Sequence, residues 1–333
     1  MYVACRFYCR DQDNKIHRHG QARFPTDLVD ATNGTEFSLA NLMLLDYFYL
    51  RLEKQTIHIT KTQESIACKR NLKNPDDPAP TKTMKTTELV SYLDAYLHIH
   101  DYPDSSRNGL QVQGRERVHR IGAAVDACVE SLIAAAERNI DFLIVHHGLI
   151  WERPEPVIGS HYERLKRLFD AGINLYAAHL PLDAHPEVGN NAVICRRLGF
   201  EVEGGFGEHH GKFIGVRGRA AAPPSPPALL QSARRLFGED TRGDMFGPER
   251  VQTLAVCSGA GAMLLPEALA AGIDGFLTGE PRHSFFHFCK ENRMNVIYGG
   301  HYATETFGVI ALAEHIEKTF HLPFEFIDAP SGM

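Results

Sequence analysis

From Arg120 onward, short apolar runs alternate with longer segments whose apolar residues recur every three or four positions. RIGAAVDA (120–127) and IDFLIVHHG (140–148) read as buried strands, and INLYAAH (173–179) as a third. Between them, VESLIAAAERN (129–139) and HYERLKRLFDAG (161–172) read as helices, the second stopped by Gly172. The order then recurs. TLAVCSGAG (253–261) is a strand and turn, MLLPEALAAG a helix, IDGFLTGE a strand, SFFHFCKEN a helix and MNVIYGGH a strand. Strands alternating with helices imply a mainly parallel sheet covered on its faces.

The recurrence is visible in the letters. RNIDFLIVHH (138–147) matches AGIDGFLTGE (271–280), and INLYAAHLPLD (173–183) matches MNVIYGGHYATE (294–305). Each copy of the second pair carries a histidine followed four residues later by a carboxylate: His179 and Asp183, then His301 and Glu305. An internal repeat decides the fold class. It predicts two related α/β lobes, at about 84–220 and 228–333, joined through the proline-rich AAAPPSPPA (220–228), with the chain end packing on the first lobe. Sites in parallel sheets form beyond the carboxyl ends of strands. His146 and His147 end one strand, and the two His-x-x-x-acid groups follow others, so these groups converge on one cleft.

Residues 1–83 lack this regularity and end in the breaker-rich NPDDPAPTKT (74–83). They hold 12 basic against 10 acidic residues, leaving 23 against 31 for the remainder. At Met84 an amphipathic helix begins, with Leu89, Leu93, Tyr96 and Leu97 on one face and a polar Thr-Thr-Glu start. The favoured expectation is that Met84 is the natural start and the preceding residues are upstream sequence. The alternative is an extension, loosely folded or disordered.

The whole chain carries a formal charge of −6, which argues against a nucleic-acid binder relying on an overall positive field. Seven cysteines without a CxxC pair fit reduced thiols in the cytoplasm rather than a disulfide framework. No secretory signal or membrane segment is visible; the most apolar early stretch, 37–50, is too short to span a bilayer and contains Asp46.

Imidazole and carboxylate are a common ligand pair for zinc, iron and manganese. Successive strand residues face opposite sides, but at a strand end both rings can approach one site from different directions. That suits two ions: His146 on one, His147 on the other, with Glu305 between them. A spacing of four puts His301 and Glu305 on one helical face. Gly148, Gly299 and Gly300 leave room for close approach. Two neighbouring ions can lower the pKa of a shared water and polarise a substrate oxygen. The competing reading of His146, alone, is a packed core histidine. A second His-His-Gly, at His209, His210 and Gly211, has no apolar strand leading into it and reads as a loop. His161 and His185 read as exposed, and Cys257 and Cys289 as core. SGAG (258–261) can make a phosphate cradle or simply a turn; it lacks both a Rossmann fingerprint and a P-loop lysine.

NGLQVQG (108–114), IVHHG (144–148), HLPLDAHPEVGNN (179–191), TGE (278–280) and GGHYATE (299–305) follow one another in this order. In these motifs, from about Met84 onward, the chain resembles the YbgI-type dinuclear-metal-centre family, often labelled GTP cyclohydrolase 1 type 2 homologues. The resemblance implies metal ligands at His146, His147, Asp183, His301 and Glu305, with His179 orienting Asp183 or a bound water. It implies two similar α/β lobes, two divalent ions per chain and a homohexameric ring. It also implies hydrolytic opening of the GTP ring at C8 with release of formate. The linker is too short for the additional domain of longer members, so the compact form is expected. Nothing in the residues specifies guanine. Hydrolysis of another bond, such as a phosphoester, fits the same ligands, and a non-catalytic ring acting as an interaction or regulatory module remains the rival. Mass spectrometry of the native N-terminus tests the start at Met84: no peptide from within 1–83 is expected, and finding one overturns it.

Overall fold

The computed structural model of the chain describes residues 2–10, 16–25, 82–153 and 155–333. Most of the segment 1–83, including residues 74–81 of its breaker-rich end, lies outside the described residues. Within it, β1 (Tyr2–Arg10) and β2 (Ile16–Pro25) pair antiparallel with a register shift at Phe7/Tyr8.

In the main unit, β3 (Met84–Lys85) leads into helix α1 (Thr86–Tyr96), whose Leu89 and Leu93 are fully buried, one turn apart. β4 (Gly109–Val112) and β5 (Arg117–Val118) follow, then β6 (Ile121–Asp126), α2 (Val129–Glu137), β7 (Phe142–His147), α3 (Gly159–Ala171) and β8 (Asn174–Ala177). α2 begins at a reciprocal cap in which Ser131 N–H donates to Cys128 Sγ and Cys128 N–H to Ser131 Oγ. α3 ends at Gly172 in the left-handed region, φ 65°. The short α4 (Leu180–Asp183) and α5 (Asn190–Arg197) lead out of this lobe.

β7 shows why this sheet is covered on both faces. Phe142 and Ile144 join the apolar cluster of Leu89, Leu93 and Tyr176, whereas Leu143 and Val145 join that of Leu132, Ala135 and Leu168. The two-residue period of a strand sends alternate side chains to opposite helical layers, so a continuous apolar run is required. Each fully buried aliphatic contributes roughly 1.5–3 kcal/mol.

The second lobe contains β9 (Glu201–His209), β10 (Lys212–Arg219), α6 (Pro226–Phe237), β11 (Arg242–Met245), β12 (Thr253–Cys257), α7 (Leu265–Ala270), β13 (Gly275–Thr278), α8 (Phe286–Glu291) and β14 (Asn295–Tyr298). Helix α9 (His301–Phe320) then crosses to the first lobe, and β15 (Phe324–Phe326) pairs parallel with β6. The sheet orders are β15-β6-β7-β8-β4 and β11-β14-β13-β12-β10-β9. In each, three strands are parallel and a strand from earlier in the chain closes the far edge antiparallel: β4 on β8, and β11 on β14.

The repeat extends to polar devices. Asp141 accepts from the backbone N–H of His119 and Arg120, and Asp274 accepts from those of Gln252 and Thr253. Asn174 and Asn295 each donate through Nδ2 to the backbone carbonyl of that aspartate, at 3.1 Å in both copies. The shared letters Ile-Asp and Asn thus mark where backbone groups at the bottom of each sheet need partners.

Four expectations change. β9 and β10 belong to the six-stranded sheet, so the lobes part before Glu201, not at 220. The proline-rich stretch lies inside the second lobe, where Pro226 occupies the first turn of α6, a position that needs no N–H. His161 and His185 are buried, not exposed. His185 donates from Nε2 to Tyr96 O and accepts at Nδ1 from the N–H groups of Glu187 and Val188, organising the loop after α4. Lastly, strand β9 runs into His209; only His210 and Gly211 form the turn, both with positive φ as a tight hairpin requires. Cys257 and Cys289 are core residues as expected. Among the described residues no helix is long and apolar enough to cross a membrane.

Two buried asparagines at the start of α5 stitch the lobes together. Asn190 donates to Asp183 Oδ1 and accepts from Gly308 N–H of α9. Asn191 donates to the carbonyls of Asp183 and Ile214 and accepts from Ser258 N–H. Asn191→Ala would leave these three backbone groups unpaired at a cost of about 1–3 kcal/mol each, read as a lowered midpoint in urea denaturation with an unchanged slope.

Candidate metal centre

Strand ends and helix starts bring the site together. His146 continues the row of Phe142 and Ile144 toward α9 and is fully buried. His147 caps β7 on the other side and is half-buried. Asp183 closes α4, beyond β8. His301 and Glu305 occupy the first turns of α9, which begins directly beyond β14.

The imidazoles are held from behind. Nδ1 of His146 lies 2.9 Å from Ala178 O, and that of His147 lies 2.9 Å from Asp126. Nδ1 of His179 lies 2.9 Å from Asp104, and that of His301 lies 2.5 Å from Glu280. Each acceptor fixes a proton on Nδ1 and turns Nε2, the nitrogen that can ligate, toward the site. His146 Nε2 lies 3.5 Å from Asp183 Oδ2 and 3.6 Å from Glu305 Oε1; His147 Nε2 lies 3.4 Å from Glu305 Oε2. His301 Nε2 is 3.1 Å from Glu305 Oε1. The contacts of His146 and His147 are ion-pair separations rather than good hydrogen bonds. Accordingly His146 Nε2 and Glu305 Oε2 are buried atoms without a hydrogen-bond partner.

The electrostatics match this geometry. Burial alone would lower the His146 pKa, but the facing carboxylates of Asp183 and Glu305 hold it well above its ordinary value. His301 is raised to about 9, chiefly by its bond to Glu305, against a smaller opposing effect of burial. Burial would raise the carboxyls of Asp183 and Glu305, yet the neighbouring imidazoles, His146 foremost, hold both below the usual range. Burial would likewise raise Asp104, which the bond from His179 brings down to about 2. Burial, then the same two carboxylates, pushes the nearby Cys257 thiol far up, so it offers no thiolate.

Two donor groups overlap. His146, His147 and His179 present ligand atoms within 4.8 Å of one another, as do His147, His301 and Glu305. The orphaned Nε2, the orphaned carboxylate oxygen and this nitrogen–oxygen donor set fit a divalent cation. All five sequence-derived residues lie in this cluster, Asp183 through His146. His179 does not orient Asp183; its ring is tied to Asp104, while Asp183 is held by Asn190 and Ser258. His209 and His210 stay outside the cluster, lining with His179 a neighbouring cavity of about 600 Å³.

Sequence reasoning missed the supporting carboxylates Asp104, Asp126 and Glu280. Asp126 ends β6 and Glu280 follows β13, so the strand-end rule that selected His147 applied to them as well. The glycine that matters is Gly259, at φ 59°: a Cβ there would fall 2.2 Å from Glu305 Oε1. SGAG is a turn, not a phosphate cradle. Its Ser258, Gly259 and Gly261 N–H groups donate to Asn191, Thr304 and Thr278.

Residues 84–331 match the model of Duf34/NIF3 (NGG1p interacting factor 3). The chain is 47% identical over 246 residues to a GTP cyclohydrolase 1 type 2 homolog of Deinococcus radiodurans, covering 74% of this chain and 94% of the relative. It is 45% identical over 251 residues to a protein of the same description from Pyrococcus horikoshii, covering 75% of this chain and all of the relative (100%). Among solved structures it resembles TTHA1606 from Thermus thermophilus, with 47% identity and a TM-score of 0.69, and protein ybgI, of unknown function, with 36% identity and a TM-score of 0.71. Each comparison covers 75% of this chain and 100% of the solved one, in agreement with the compact two-lobed form. The chain therefore belongs to the Duf34/NIF3 family, among the GTP cyclohydrolase 1 type 2 homologues.

Proposed function

We propose that this protein holds two divalent metal ions and is a metal-dependent hydrolase acting on the ring of a purine nucleotide. The carrying observation is that Glu305 stands between two donor sets: its Oε1 lies 3.6 Å from His146 Nε2, itself 3.5 Å from Asp183, and it forms with His147 and His301 a set of ligand atoms within 4.8 Å of one another. One ion would take His146, Asp183 and Glu305; the other would take His147, His301 and Glu305. Zinc, iron and manganese all suit these donors. Bound there, the ions would supply Lewis acidity and a water of lowered pKa.

The chain's own residues do the rest. Ala178 O, Asp126 and Glu280 keep three imidazoles in the tautomer that offers Nε2 to the site. Asp104 keeps the proton of His179 on Nδ1, leaving its Nε2 as an atom that can accept a proton from water or substrate. The nucleotide part of the reading rests on the description shared by the relatives.

The proposal places six copies in a ring in the cytoplasm. Val157, Ile158, Tyr162 and Phe169 form an exposed apolar stripe on and before α3, suited to self-association. Cys128, Cys195, Cys257 and Cys289 are unpaired, as in a reducing compartment. That stripe also supports the second reading, a metal-holding ring that serves as an interaction module.

Metal analysis of the purified protein is expected to find near two ions per chain, with occupancy lost in Glu305→Ala. Absence of stoichiometric metal under metal-replete conditions overturns the centre. Turnover of GTP by the wild type and not by Glu305→Ala supports the hydrolase; full metal with no turnover of GTP or other purine nucleotides favours the second reading. Asp126→Asn and Glu280→Gln should each weaken metal affinity by about 10–100-fold while leaving the far-ultraviolet circular dichroism unchanged. Native mass spectrometry should show a hexamer, and a monomer at micromolar concentration would remove the ring.

A further inference from the structure

A cavity of about 450 Å³ opens beside His147. Its size falls in the range of small-molecule sites. Of two other cavities near the centre, one reaches Glu280 but none of the four clustered imidazoles, and the other reaches only His179 among them. This third one reaches His147, the imidazole common to both donor groups. It also brings an aromatic ring and a cation to the same cavity, Trp151 and Arg164.

Both side chains are held yet uncommitted. Trp151 Nε1–H donates to Gly148 O at 3.1 Å, and an isolated bridge to Ser106 fixes its backbone. The indole ring lies 6.3 Å from that of His147, so its position is set relative to the centre. Arg164 spends Nε on Ser160 O. Among the described residues no carboxylate lies within ion-pair distance of its guanidinium. The acids lining the cavity are Asp126, occupied with His147, and Glu130, exposed at the rim. Residues 329–331 form another part of the wall. Tyr302 pins that wall by donating to Asp328 and accepting from Ala329 N–H, both at 2.8 Å, and Tyr302 is the neighbour of His301.

We infer that this cavity is the substrate subsite of the metal centre, taking a planar aromatic heterocycle that carries an anionic group. The ring stacks on Trp151 and the anion pairs with Arg164, which holds the ligand against His147. A phosphorylated purine nucleoside has this chemistry. The inference rests on the hydrolase reading for what becomes of the ligand, but not for its binding.

Trp151 is the single tryptophan of the chain, so intrinsic emission reports on this cavity directly. Full-length, metal-loaded protein is titrated with GMP, guanosine and ribose 5-phosphate, with calorimetry in parallel. GMP should change the emission saturably and bind more tightly than either fragment. Arg164→Ala should weaken GMP by at least about tenfold, with guanosine and metal content unaffected. Trp151→Leu, followed by calorimetry, should weaken both GMP and guanosine. Arg164→Gln replaces Arg164→Ala if the latter does not fold. GMP binding that is unchanged in the arginine variant, binding seen by calorimetry without any change in emission, or no binding of GMP would each overturn the subsite. Binding that follows this pattern without turnover of any nucleotide leaves the subsite standing and removes the hydrolase reading. Turnover that is indifferent to Arg164 does the reverse.

Discussion

Glu305 is a carboxylate buried almost completely between two lobes, with one oxygen lacking any hydrogen-bond partner. Such a charge costs several kcal/mol to desolvate unless opposite charge surrounds it. The compensation comes from three imidazoles contributed by two separate stretches of chain, His146 and His147 on β7 and His301 on α9 itself. Asp183 repeats the problem beside it and is answered by His146, Asn190 and Ser258. Much of the architecture between the lobes serves to keep these groups together, and His146 Nε2 and Glu305 Oε2 are left without hydrogen bonds where a cation would complete the balance.

The ordinary packing of the protein delivers that arrangement. Two-residue alternation along β7 puts His146 on the face that α9 covers, and α9 is held there by Val309, Leu312 and Ile316 in the first lobe's core. Its first turns therefore reach the end of β7 with little freedom. The close approach is possible because Gly308 stands where a Cβ would lie 2.8 Å from the Asn190 side chain. Asn190 in turn grips Asp183, so the fit of α9 against α5 and the position of a candidate ligand are the same contact.

The two lobes share a plan but not a role. The Asp141 and Asn174 devices recur as Asp274 and Asn295 because any parallel sheet of this kind has backbone groups to satisfy at its base. At the functional end the copies diverge. The position of His147 in the first copy is that of Glu280 in the second, and Glu280 supports His301 from behind instead of facing the centre. One copy supplies the imidazoles of a strand end, and the other a helix start and a supporting carboxylate. The result is one asymmetric site rather than two symmetric ones.

Legible along the chain were the alternating strands and helices of the two repeat copies, the repeat itself, and the convergence of His146, His147, His179, Asp183, His301 and Glu305, from which the family resemblance singled out five as ligands. These are legible because burial period, strand ends and a His-x-x-x-acid spacing are local properties. The partners that hold the site were not legible: Asp104 behind His179, Asn191 between three segments, Gly259 under Glu305. Each pairing spans a distance in sequence that no local period encodes. The lobe boundary was misplaced for the same reason, since prolines at 223–227 announce a break in the chain without saying to which sheet the preceding strands bond. The exposed reading of His185 failed because its polar loop gave no sign of a carbonyl of α1 and two backbone N–H groups waiting for one imidazole. Only tertiary structure decides such matters, because a buried polar atom is satisfied by whatever the fold brings within about 3 Å, not by its neighbours in the chain.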